Sequence, residues 1–419
     1  MPLTERNLPN GISLLIEPIA ATKAVAIGFW FRMGSRDERA GEYGITHFIE
    51  HLLFKGTSKM SASELARFFD RVGGYVNAFT ERELMCLHCV VPSEYAREAI
   101  DILSDMVWDP KVSDADIERE RTVIESEILS SLDDPEEMGM DAALALMYPG
   151  HSISRPIAGS CRDVEMITTE SLRSFFSKRL HTYAPIIAIA GAVDAAAMEA
   201  FFHDRTAGLS FDTQYLAGEI PQWKAGTHYP VSKFTQSQLY LNYPIPFSRD
   251  TGDWYSWRLI NAMIGNTVSS RLFQSLRERN GLCYSVYSSY AYGRDSAVWG
   301  AYVATPRENA LKTLDLLLAE MGDIVGNGFR PEEIRDSKTN AIGDLSLSAE
   351  DTENRMKRLA RQYLFGNTVY TLDECMAIVR AIDGDTLSTR VRDALRTEEA
   401  SLVVYADKKT GKECAKKWR

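Results

Sequence analysis

The chain is poor in cysteine: six of its 419 residues, at positions 86, 89, 161, 283, 375 and 414, fall at no regular spacing. That excludes a disulfide-stapled scaffold and points to a reducing compartment. Long apolar runs are missing too. The longest, residues 184–193, is too short to cross a bilayer and carries Gly191 near its end, so it reads as a buried strand and no membrane span is expected. Residues 1–6 hold no apolar h-region, so the expected location is the cytoplasm, or the periplasm where a leader precedes them. Positive charge is in deficit: 47 Lys and Arg against 58 Asp and Glu leave a net charge of −11. Binding to phosphate backbones needs a basic surface, which argues against nucleic acid as the main partner. Mild acidity of this kind serves solubility. Histidine is scarce as well, seven in all and none after His228, so an imidazole-built metal site belongs to the first half.

Cys86 and Cys89 flank His88 in a C-x-x-C. Residues 84–91 read as a strand, in which positions three apart face opposite ways. No second Cys/His pair stands at zinc-site spacing, so both thiols are read as core residues.

What the chain does have is 45% apolar and 25% charged residues, the balance of an ordinary globular protein. Its length exceeds one typical core and predicts two domains. The pattern also repeats. Cys89-Val90-Val91-Pro92 precedes an amphipathic stretch over 95–108, an acidic start at Asp114-Ala115-Asp116 and a helical run to about residue 131. Val303-Ala304-Thr305-Pro306 precedes a stretch over 310–325, an acidic start at Pro331-Glu332-Glu333 and a run to about residue 347. The shared order predicts an internal duplication of about 200 residues. Strand signals open both halves, at 12–16 and 24–32 and again at 237–243. Strands and helices mix without strict βαβ alternation, so the expected class is α+β: two duplicated α/β-sandwich-like domains with largely antiparallel sheets. Gly208, Gly218, Pro221, Gly226 and Pro230 gather over 207–232. These breakers place an N-terminal domain at 1–215, a linker at 216–235 and a C-terminal domain at 236–419.

The strongest local signal is His47-Phe48-Ile49-Glu50-His51. On a helix, residues i and i+4 share a face one turn apart, so both imidazoles can reach one ion. The inverted H-x-x-E-H is a zinc signature. Glu50, beside His51, can approach a water at that ion as general base. Phe48, Ile49, Leu52 and Leu53 supply an apolar side, and Thr46 is a candidate N-cap. Catalytic zinc takes three protein ligands as a rule. The helical run from Ile117 to Leu129 offers Glu118, Glu120, Glu125 and Glu127; Glu120 and Glu127 share a face, and spacing alone does not choose among the four.

The segment from Gly44 through His47, Glu50 and His51 to Leu53-Phe54-Lys55-Gly56-Thr57 resembles the active-site helix of the pitrilysin family of zinc peptidases, the inverzincins. The resemblance continues through Gly74-Tyr75-Val76-Asn77-Ala78-Phe79-Thr80, through Ile117 to Ile128, and through Ser269 to Val286. It is closest to the processing-peptidase branch and covers nearly the whole chain. It implies that Glu127 is the third zinc ligand and that Glu120 orients a ligand. It implies that Arg277 and Tyr284 contact substrate; Cys283, before that tyrosine, replaces the usual small residue. It also implies two duplicated units forming half of a clamshell, with a second subunit closing a chamber. A homodimer is expected, a heterodimer with an inactive homologue being the alternative, and Arg277 and Tyr284 would then act from the partner.

The expected function is therefore a zinc endopeptidase with one Zn²⁺ per chain, held by His47, His51 and Glu127. Val76-Asn77-Ala78 reads as an edge strand to which an extended peptide adds through its main chain, with Phe79 as a candidate pocket wall or, equally, a core residue. The alternatives are a non-catalytic partner subunit and a non-haem iron enzyme using two histidines and a carboxylate. Glu50 inside the motif favours the peptidase, which needs a base there.

Overall fold

A computed structural model describes residues 3–212 and 218–418. The expected boundary at 215, and residues 216 and 217 of the expected linker, lie outside the described residues. The chain forms two units, each built on one sheet. The first sheet contains β1 (Thr4–Asn7), β2 (Ser13–Pro18), β3 (Ala24–Phe31), β4 (Tyr75–Thr80), β5 (Met85–Pro92) and β6 (Ile186–Gly191), in the order β1-β2-β6-β3-β5-β4. β2 and β6 are parallel and every other neighbouring pair is antiparallel.

Period-two alternation assigns the faces of this sheet. Ile27, Phe29, Met85, Leu87 and Cys89 point into a core shared with Phe48, Ile49, Leu103 and Ile124. Ala26, Trp30, Cys86, Ala188 and Ala190 point the other way, against Met356, Leu359, Ala360 and Leu364. Cys86 and Cys89 are thus buried on opposite faces, both as free thiols.

The helix on that second face, Thr352–Gly366, comes from late in the chain. Small residues let it lie close: a Cβ on Gly28 would stand 2.5 Å from the Met356 sulfur. Trp30 Nε1 donates to that sulfur at 3.3 Å. Glu17 pairs with Arg355 at 2.8 Å and Arg358 at 2.9 Å, and Glu353 with His88 at 3.0 Å. Because these neighbours cannot collapse into a void, Met356→Ala should cost about 2–5 kcal/mol in chemical denaturation. A cost below about 0.5 kcal/mol, the range of surface changes, would show that the helix is not part of this core.

The second sheet contains β7 (Gly226–His228), β8 (Gln236–Pro244), β9 (Ser285–Tyr292), β10 (Ala297–Pro306) and β11 (Ser401–Tyr405), in the order β7-β11-β8-β10-β9. Here β7 and β11 are parallel and the other pairs antiparallel. Strand for strand this repeats β2-β6-β3-β5-β4, so the duplicated α+β architecture is one of topology. β5 leads into the helices Ala96–Trp108 and Asp114–Ser131, and β10 into Ala310–Asn327 and Pro331–Ser348.

The next helix in each series changes unit. Pro135–Met147, which follows the first pair, packs on β8 and β11, whereas Thr352–Gly366, which follows the second, packs on β3 and β6. Both begin alike: the carboxylates of Asp134 and Asp351 accept from the backbone N–H of Glu136 and Glu353, each at the N-cap. Glu136 then accepts the Tyr287 hydroxyl, and Glu353 the Tyr75 hydroxyl.

The units are therefore Met1–Ser130 with Pro156–Gly218 and Leu347–Thr371, and Ser131–Arg155 with Glu219–Ser346 and Leu372–Arg419. This interleaving differs from the expected 1–215 and 236–419, because amphipathicity marks a helix without naming the sheet it meets. The expected linker also differs: it contains β7, and Trp223 packs on Tyr148 and donates to the Glu399 carbonyl at 2.8 Å. Among the described residues no helix is long and apolar enough to cross a membrane.

Candidate metal centre

The two histidines stand on the short helix Ile45–Leu52, whose Ile45, Phe48, Ile49 and Leu52 are fully buried. Its start corrects the expected Thr46 cap. Gly44 is the N-cap, at φ 85°, a left-handed conformation that glycine adopts without penalty. A Cβ there would also meet the Ala158 carbonyl oxygen at 2.4 Å. Helix starts leave unpaired N–H groups, and Glu38 takes two: its oxygens accept from Gly44 N at 2.8 Å and Thr46 N at 2.9 Å. Burial pushes the Glu38 carboxyl up to about 8, while those backbone N–H groups pull toward the anion. Sequence reasoning missed Glu38, because no spacing rule links it to the motif.

His47 and His51 stack edge to face, with ring centroids 4.7 Å apart. The helix Asp114–Ser131 brings Glu127 Oε2 to 3.4 Å from His51 Nε2 and 3.9 Å from His47 Nε2. One ligand atom from each of these three residues lies within 4.8 Å of the others. Glu120, two turns before Glu127 on the same helical face, reaches His51 Nδ1 at 3.1 Å with one oxygen and Lys55 Nζ at 2.6 Å with the other. That contact lets Nδ1 donate to Glu120 while Nε2 faces Glu127. Burial, reinforced by His51, holds His47 down at about 4, so its ring is neutral at pH 7. Its Nδ1 is buried with no hydrogen-bond partner among the described residues.

Glu50 lies beside this group without joining it. Thr80 Oγ1, at the end of β4, donates to Glu50 Oε2 at 2.6 Å. Burial raises the Glu50 carboxyl, and Glu127 adds to the rise; the Thr80 hydrogen bond and His51 oppose it, and the net shift is upward. That direction suits a proton acceptor working near neutrality.

The donor set fits a zinc ion. Two imidazole Nε2 atoms and a carboxylate oxygen, all of them zinc-ligating atom types, converge here. Ligand atoms of a tetrahedral zinc site stand about 3.3 Å apart, and the closer two contacts here are 3.4 and 3.9 Å.

The other expected site residues divide. β4 is the terminal strand of its sheet. Ala78 is buried on the face of the histidine helix, while Asn77 is exposed and its Oδ1 accepts from the Ala78 N–H at 2.9 Å. Phe79 packs on Trp30 at 5.6 Å and His88 at 5.9 Å, on the face covered by Thr352–Gly366. Of the two roles expected for Phe79, pocket wall and core, the structure has the core one, since strand alternation turns it away from Glu50. Arg277 and Tyr284 lie in the second unit and meet each other. The Arg277 guanidinium donates to the Tyr284 carbonyl at 2.8 Å and stacks on the Phe273 and Tyr284 rings at 4.7 and 4.6 Å. The Tyr284 ring is 77% exposed, more than a packing role requires. Among the described residues the second unit holds no cluster able to bind a metal.

Comparison with known proteins finds two family matches in succession along the chain. The family described as "Insulinase (Peptidase family M16)" matches residues 14–160, and "Peptidase M16 inactive domain" matches residues 166–341. An "uncharacterized zinc protease" of Mycobacterium leprae is 30% identical over 417 residues, covering 96% of this chain and 92% of the relative. One of Bacillus subtilis is 30% identical over 402 residues, covering 95% and 96%. Among solved structures, a protease from Helicobacter pylori superposes with a TM-score of 0.88 at 18% identity, covering 96% of this chain and 99% of that one. The likeness to that structure is one of fold.

Proposed function

We propose, from the premise that this chain belongs to the insulinase family of peptidases, family M16, that it is a zinc-dependent endopeptidase acting on unfolded peptides. The observation that carries this reading is the convergence of His47, His51 and Glu127 beside a carboxylate, Glu50, that is held out of the ligand set.

His47, His51 and Glu127 would hold one zinc ion per chain, which supplies Lewis acidity for water and for a scissile carbonyl. Glu120 fixes the ring of His51, and Lys55 fixes Glu120. Glu50 takes the proton from the attacking water and returns it to the leaving amine. β4, as an edge, offers main-chain hydrogen bonds to an extended peptide, which reads length and extension more than side-chain identity. Arg277 and Tyr284 would contact the substrate main chain or its developing oxyanion. A second copy of the chain closing a chamber would supply these two in trans, as in the processing-peptidase branch that the motifs resemble.

A second reading, a non-catalytic subunit, is disfavoured by the complete set of His47, Glu50, His51 and Glu127. The deciding experiment is cleavage of a quenched fluorescent unstructured peptide by purified protein, with a chelator and zinc add-back. Cleavage lost with chelator and restored by zinc is expected. One bound zinc per chain with no cleavage would favour the non-catalytic subunit.

A further inference from the structure

We infer that Thr80 is a positioning residue: its hydroxyl ties the strand on which the peptide docks to the base that attacks it. This rests on the peptidase reading above. Three carboxylates crowd the two imidazoles, yet only one is placed to bind an ion. The other two are each tethered by one further side chain. Lys55 Nζ holds Glu120 at 2.6 Å, and Thr80 Oγ1 holds Glu50 at 2.6 Å. Glu127, by contrast, faces the imidazoles and is half exposed.

The tether matters because an anionic side chain next to a dication tends to become a ligand. The Thr80 hydroxyl, added to a backbone hydrogen bond from the same residue that a substitution would leave in place, fixes the Glu50 rotamer and keeps Oε2 turned toward β4. The origin of the hydroxyl matters too. Thr80 is the final residue of β4, the free edge of its sheet, two positions beyond the buried Ala78 that faces the histidine helix. A peptide that adds to β4 therefore bears on the strand that aims Glu50. Docking and base placement share one rigid element.

The test compares Thr80→Val, which keeps the branched shape and removes the hydroxyl, with Thr80→Ser, which keeps the hydroxyl. Thr80→Ala serves as a second hydroxyl-free variant should valine disturb folding. For Thr80→Val and Thr80→Ala, kcat should fall about 10–100-fold, the range for one hydrogen bond to a charged group. KM should stay within about threefold and zinc affinity, by competition with a chromogenic chelator, should be equal or tighter. Thr80→Ser should restore most of kcat. Hydroxyl-free variants within twofold of wild type, or a serine variant no better than valine, would overturn the inference and leave the peptidase reading standing. Weaker zinc binding in the valine and alanine variants would also overturn it, since the hydroxyl would then serve the site's shape. A wild-type chain that binds zinc and cleaves nothing overturns the peptidase reading and takes this inference with it.

Discussion

Replacing Glu50 by glutamine should abolish peptide hydrolysis while one zinc per chain stays bound. The amide has the size of the carboxylate and its carbonyl oxygen can still accept from Thr80, so packing around the helix Ile45–Leu52 is preserved. What is lost is the ability to take a proton. General acid–base catalysis contributes about 10²–10⁴-fold, and here one group both accepts a proton from water and delivers it to the amine, so the loss should lie at the upper end. The two measurements are initial rates on the quenched peptide and metal content after dialysis. Because Glu50 stands outside the group formed by His47, His51 and Glu127, metal content should match wild type. Hydrolysis above a tenth of the wild-type rate would remove Glu50 from the mechanism. Loss of metal would instead make it a ligand and return the site to the two-histidine, carboxylate-rich chemistry of other metalloenzymes.

The same residues show what a sequence can and cannot disclose. His47, Glu50 and His51 are legible because their relation is local: a single helical turn fixes it whatever the rest of the chain does. The strands are legible for a similar reason. The strand read over residues 84–91 anticipates β5, observed as Met85–Pro92, and its period of two puts Cys86 and Cys89 on opposite faces. Topological duplication was visible because Pro92 and Pro306 close equivalent strands.

Legibility fails where a partner is distant. Thr80 and Lys55 stand inside the family-like motifs at 74–80 and 44–57, yet their hydrogen bonds cross 30 and 65 residues to Glu50 and Glu120 respectively. Glu38 caps the histidine helix from a loop, so the local rule that favours Thr46 gave the wrong residue. The helices Pro135–Met147 and Thr352–Gly366 lie beyond the helical runs read from the sequence, and which sheet each covers depends on complementary surfaces. The alanines and Gly28 that receive Met356 are unremarkable in a one-dimensional reading.

The choice among the four acids of the helix Asp114–Ser131 is where spacing was silent and tertiary structure is specific. Glu127→Ala should lose zinc, while Glu118→Ala and Glu125→Ala should not. Glu127 is the only one of the four grouped with both imidazoles; Glu118 instead pairs with Arg121 one turn along its own helix. Removing an outer partner of a metal ligand costs about 10–100-fold in affinity, so removing a ligand outright should cost more. With two imidazoles left, binding at submicromolar free zinc should fall away, and hydrolysis with it. Chelator competition separates the two effects, because an activity loss at saturating zinc has another origin. Zinc affinity within tenfold of wild type in Glu127→Ala would mean that a different side chain completes the site. Glu120 would be the first to examine: it already touches His51, and releasing it from Lys55 would free an oxygen. The double variant Glu120→Ala with Glu127→Ala then decides, since affinity lost only in the double variant identifies Glu120 as the substitute ligand.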